Sequence, residues 1–310
     1  MEEAKEGIGA GPAVWTYKSN QRFSKVPSCT LDITYLRKLF EILNNINKEA
    51  LQIELSNVEK FYMQSQSKPS NEDMEKIKKG VSEAFRIHVE IYGAKGEFLS
   101  SDSPSILKEE VLPDTVNSIK VDNSFFFKVR FNGRLPQSQI NLKLDFSKPP
   151  VVDFITNPSL ATTNNSFLQV IGENETWVEG SHQKILTSLT GMSNRRAWLH
   201  GKNVYDLFLW ILIIPLSFWN LFKVDLMLSP HLSKISNVIV VAIYIYLFFI
   251  ILAFFRFVFN YMRWLFPYLE LKSLMRKGAT FHRVIFVFII AAVISGLIKD
   301  VFIYVIRYLF

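Results

Sequence analysis

Hydrophobic positions crowd into the last third of the chain. Three long runs there (204–222, 237–255 and 284–310) are apolar on every side of a helix, with no polar stripe. A soluble core helix keeps one polar face, whereas about 20 apolar residues at ~1.5 Å per residue match a hydrocarbon layer of ~30 Å. The pattern predicts three membrane-crossing helices, over 204–222, 237–255 and 284–305, behind a more polar N-terminal part. Pro215 inside the first run predicts a kink, because proline removes one backbone hydrogen bond.

The first 200 residues follow shorter periods. Residues 1–12, with three Gly and one Pro, read as a flexible leader. In the domain expected over 13–190, Tyr35, Leu36, Leu39, Phe40, Leu43, Ile46 and Ala50 keep helical spacing. Residues 51–55 alternate with period two and read as a strand. A short charged helix is expected over 71–82, then strands over 85–92, 125–131 and 140–144. A hairpin at 93–96 leads into 97–99, a further strand over 167–171 follows, and a helix over 176–189 closes the domain. Alternation of this kind belongs to a mainly antiparallel sheet with one face on the core. The expected architecture is therefore an α+β domain with helices on one face. A basic junction over 191–202 joins it to an all-α membrane domain of three helices over 203–310.

Charge changes the picture. The formal net charge is +7, but residues 201–310 hold 11 of the 35 basic residues and 4 of the 28 acidic ones, so the whole excess sits in the apolar part. That excludes global charge as an argument for a polyanion partner and turns it into an argument about orientation. Arg195, Arg196 and Lys202 precede the first run, and Arg256, Arg263, Lys272, Arg276, Lys277 and Arg283 lie between the second and third, opposed only by Glu270. The positive-inside rule then puts the N-terminal domain and the 256–283 loop in the cytoplasm, and the C-terminus outside. Cys29 is the only cysteine and no apolar leader segment precedes the domain, both in keeping with a cytosolic position.

Candidate chemistry is sparse. No phosphate loop, nucleophile elbow or H-E-x-x-H pair is present and the five histidines are scattered, so neither an enzyme nor a cofactor or metal is expected. Arg86, Lys128, Arg130 and Lys143 fall on the outward positions of the expected strands, near Tyr92 and Phe126. Cations interleaved with aromatics suit the phosphates and bases of a nucleotide or short oligonucleotide, although the same pattern describes an ordinary solvated sheet face. In the third run, Ala291 and Ser295, and Ala292 and Gly296, are spaced to let helix backbones approach within a bilayer. Lys299 lies one turn after Ser295. Either this stripe lines an aqueous path in a homo-oligomer, or the span ends near Ile298 and Lys299 snorkels to the surface.

In domain order the chain resembles the membrane effectors of bacterial anti-phage defence, of the CBASS and Hailong types. The resemblance rests on layout, not on a motif. It implies a cytosolic sensor of a nucleotide or oligonucleotide signal that gates an oligomeric helical pore. The alternative is a non-conducting membrane-anchored adaptor whose soluble domain binds a protein partner.

Overall fold

The structure is a computed structural model that describes residues 19–64, 69–153, 155–232, 235–272 and 281–289, with positions 291, 292, 295, 296, 299, 303 and 306 beyond them. The expected leader lies outside the described residues.

An antiparallel sheet organises the N-terminal part. Its strands are β1 (Asn20–Lys25), β3 (His88–Gly93), β4 (Phe98–Ser101), β5 (Val116–Asp122), β6 (Gln139–Asp145) and β7 (Phe167–Gly172), in the order β1-β7-β6-β5-β3-β4. Side chains alternate across a sheet, so one rung belongs to one face. The rung Val89–Val121–Leu142–Leu168 is fully apolar and buried. The next rung runs Lys25–Phe167–Lys143–Lys120–Glu90 and forms the outer face.

Two helices cover the apolar face. Helix α1 (Ile33–Gln64) buries Leu36, Leu39, Phe40, Leu43 and Ile46, and α4 (Glu175–Thr190) buries Trp177, Val178, Ile185 and Leu189. The expected strand over 51–55 belongs instead to α1, whose buried stripe continues through Asn47, Ala50 and Glu54. That spacing is helical, and each of the two buried polar residues finds a partner elsewhere in the chain. Asn47 donates to the Phe85 carbonyl (3.0 Å), and the Glu54 carboxylate accepts from the Gln137 N–H (3.1 Å).

The expected strand over 125–131 is helix α3 (Phe125–Arg130). Asp122 dictates this, because its carboxylate accepts from the N–H groups of Ser124 (3.0 Å) and Phe125 (2.9 Å) and so satisfies donors that open a helix. Helix α2 (Asn71–Ala84) starts at Ser70, which caps Asp73 N–H.

The C-terminal part begins with α5 (Val204–Phe208), which runs through a π turn at Leu209–Ile213 into α6 (Ile214–Leu232). The π turn sits immediately before Pro215, whose ring removes the N–H that regular winding needs. Ser217 Oγ donates to the Ile213 carbonyl (2.6 Å) and absorbs part of the mismatch. Helix α7 (Asn237–Leu265) returns alongside α6. Val204–Leu232 and Asn237–Leu265 are both long and apolar enough to cross a membrane, and each outlasts the sequence expectation by ten residues. Their apolar surface is open, with Trp210 68% and Val238 77% exposed. Bare apolar surface on this scale marks a membrane or an assembly.

Beyond α7 the chain turns back into the N-terminal domain. Strand β8 (Leu269–Leu271) pairs in parallel with β2 (Cys29–Leu31), and its two leucines join the main core. The expected 256–283 loop therefore contains a structural strand. Residues 281–289 are helical, as are the described positions from 291 to 306. A third crossing helix goes beyond what these positions carry.

Candidate functional site

Side-chain hydrogen bonds gather at the joint between the two halves. The joint begins at Asn194, whose side chain caps the 3-10 turn Arg195–His200 and donates to Thr30 Oγ1 (3.1 Å). Ser28 Oγ lies 2.8 Å from both Asn194 Oδ1 and the Tyr268 carbonyl, so one hydroxyl serves the junction and the approach to β8. Asn203 then takes a left-handed conformation (φ 63°), sharp enough to aim α5 away from the domain. The turn is locked by Ser159, which accepts from Asn203 N–H (2.8 Å) and donates to Asp206 (2.6 Å).

Helix α7 grips the same region with two arginines seven residues apart, on one helical face. Arg256 donates to the carbonyls of Asp153 (3.0 Å) and Thr156 (2.8 Å). Arg263 is buried and donates to three carbonyls, those of Leu199 (3.2 Å), Pro158 (3.0 Å) and Gly201 (3.4 Å). Its guanidinium also lies 4.7 Å from the Phe259 ring centroid. A planar five-donor fork can hold three separate chain segments at once, which an ammonium cannot. Phe255 stacks on Tyr205 and Phe259 meets it edge-on, which extends the contact to α5.

Two further groups complete the joint. His200 is hydrogen-bonded on both ring nitrogens, Nδ1 to Thr162 Oγ1 (2.9 Å) and Nε2 to the Phe266 carbonyl (2.7 Å). Burial pushes its pKa down against the opposing pull of that carbonyl, and the nearby Arg263 charge pushes the same way as burial. Glu270 on β8, almost fully buried, receives Arg196 from the junction and Arg283 from the last helical stretch. One carboxylate thus ties three separate segments of the chain together.

The sequence-selected cations do not share one face. Lys143 stands on the outer face of β6, but Lys128 and Arg130 ride on α3, and Arg86 precedes β3. Arg86 and Arg130 do meet, lining an open cleft with Phe126, yet Arg86 pairs with Asp102 and Arg130 with Glu83 (3.1 Å). The missing strand reassigns the outer face: Lys25 and Lys120 join Lys143, and Phe23 stacks on Phe167 with centroids 5.7 Å apart. Lys120 is the most restrained, since burial lowers its pKa but Asp122 and Glu90 outweigh this and leave it raised.

Ala291, Ala292, Ser295, Gly296 and Lys299 are all exposed helical positions. A Cβ added at Gly296 would meet no atom within 4 Å. Among the described residues no cluster of three His, Cys, Asp or Glu could hold a metal ion. Arg256, Arg263 and Glu270 were legible only as flank charges, although a lone acid in a basic segment is the signal of a paired group. Compared with protein-family models, characterised proteins and solved structures, the chain finds no match.

Proposed function

We propose that the chain is an inner-membrane effector of antiviral defence. Its soluble domain, on the cytoplasmic side, senses a nucleotide or short oligonucleotide, and the ligand state gates an oligomeric pore made by the apolar helices. The observation that carries this reading is the return of β8 from the end of α7 into the soluble core, where it pairs with β2. A displacement of that core is delivered to α7 without an intervening linker, which a passive anchor does not need. The outer sheet row of Lys25, Lys143 and Lys120 with Phe23 and Phe167 supplies the cations and ring faces that a nucleotide would use. In this reading the third apolar run crosses the bilayer, places the C-terminus outside, and lines the path with Ser295 and Lys299. A protomer this small encloses no wide path alone, so conduction requires a homo-oligomer.

The test is ion flux from liposomes holding the purified protein, challenged with cyclic and linear oligonucleotides. Flux should depend on ligand and vanish when Lys25 and Lys143 are both changed to Glu. Absence of flux with every ligand, alongside stable capture of a protein partner by the soluble domain, would replace this reading with the membrane-anchored adaptor.

A further inference from the structure

A cavity of about 330 Å³ opens at the joint, between the loop that follows β6 and the last turns of α7. Lys148, Asn260, Arg263 and Tyr268 line it, together with Asp145 and Asp153. The two cations are unusual in what they lack: among the described residues neither Lys148 nor Arg263 forms an ion pair. Arg263 spends its donors on carbonyls, and the Lys148 ammonium rests 4.4 Å from the Trp264 ring centroid. Burial pushes the Lys148 pKa down, with Glu270 pulling the other way and Arg283 adding to the fall. The exposed Lys148 ammonium thus has an aromatic face beside it but no described carboxylate within ion-pair distance, which leaves its donors open to an anion.

The acids in the wall do not supply it. Asp153 accepts from the N–H groups of Ile155 and Thr156 (2.9 Å each), and Asp145 from Ser147 N–H (2.9 Å), so both are engaged within their own turns. The Asn260 amide and the Tyr268 hydroxyl, by contrast, make no hydrogen bond to another described residue. An ammonium, an amide and a phenol around one polar space suit a compact anion with several acceptor oxygens.

We propose that this cavity binds a phosphate group, held by Lys148, Asn260 and Tyr268. The phosphate comes from a phospholipid headgroup or from a free phosphate compound. The lipid source rests on the membrane reading above, in which α7 leaves the hydrocarbon near Arg256, one turn before Asn260. A headgroup seated there touches the loop after β6 and α7 together, and so adds lipid to the groups that hold the joint.

Calorimetry on the full-length protein in a maltoside detergent tests this with three probes: dioctanoyl phosphatidylglycerol, inorganic phosphate and phosphate-free dioctanoylglycerol. Phosphatidylglycerol should bind, lose at least tenfold in affinity in Lys148→Met, recover in Lys148→Arg, and be unaffected by Lys184→Met on the exposed side of α4. Lys148→Met should melt close to the wild type, because Lys148 is exposed and makes no ion pair with another described residue. Inorganic phosphate binding with the same dependence on Lys148, and no lipid binding, assigns the source to soluble phosphates. Equal binding by Lys148→Met, equal binding of dioctanoylglycerol, or no binding of either phosphate probe overturns the proposal. A protein that conducts in liposomes yet ignores Lys148→Met loses this site and keeps its function.

Discussion

Cys29 and Leu269 stand side by side in the first rung of a parallel strand pair, one before α1 and the other after α7. Parallel strands require a crossover connection, and here the crossover comprises the remainder of the soluble domain and both membrane-length helices. Leu269 is 2% exposed and Cys29 fully buried, so the rung is part of the core and not a surface latch. Leu269→Ala should therefore destabilise the protein by about 2–5 kcal/mol through lost burial and the cavity left behind. Burial pushes the Cys29 thiol up to about 12, which leaves almost no thiolate at pH 8. Maleimide should label the wild type very slowly and Leu269→Ala much faster. Rapid labelling of the wild type would show that β8 does not stay paired.

Replacing Arg263 by Lys keeps the charge but not the fork. At most one of the three carbonyls then retains its donor, at a loss of about 1–3 kcal/mol. Hydrogen exchange should rise in 156–163 and 199–203, while the sheet strands stay protected. Glu270→Gln should be harsher, roughly 3 kcal/mol, because it removes the charge that Arg196 and Arg283 share at an almost fully buried position. Thermal melts in detergent rank the two, and a wild-type melt for Glu270→Gln would remove the triad from the joint.

His88, His182 and His200 all have pKa values pushed down, in each case first by burial. Below ~6.5 the unfolded chain protonates these rings before the folded one does. The unfolded state then binds more protons, so stability is full above that pH and falls as the pH drops toward the folded values. For His200→Gln the melting temperature should vary less between pH 7.5 and 5.5 than for the wild type. An equally steep dependence would assign the loss to the other two rings.

Ala292 is exposed and a Cβ at Gly296 would meet no described atom within 4 Å, so Ala292→Leu and Gly296→Leu add bulk at open positions. Neither change should alter the monomer's melt, but both should break a detergent-extracted oligomer by keeping backbones apart. Lys299→Glu should shift the reversal potential of any conductance toward cations. An unchanged oligomer and an unchanged potential would place this run in lipid.

What could be read from the sequence was whatever carried its own period. β6, β7, α2 and α4 lie within a few residues of expectation, because their apolar positions face one shared core. Residues 51–55 misled because the buried stripe of α1 passes through Asn47 and Glu54, whose polar side chains hide the helical repeat. Phe125 to Phe131 alternates, yet only Phe127 is buried, and the Asp122-Asn123-Ser124 cap signal before it was the better guide. β1 is an edge strand with mostly exposed side chains, visible only through its pairing with β7. The joint was illegible for a different reason: Arg256, Arg263 and Glu270 are placed by tertiary contacts with carbonyls and charges far away in the chain, and no local pattern encodes them.

The position of β8 also sets an order of events during synthesis. Leu269 and Leu271 leave the ribosome after α6 and α7, so the N-terminal core stays one strand short until the whole helical hairpin has been made. Only a chain whose α7 ends beside β2 can return β8 to that strand. Until β8 arrives, Cys29 and Leu31, both fully buried in the finished fold, lack the leucines that pair with them.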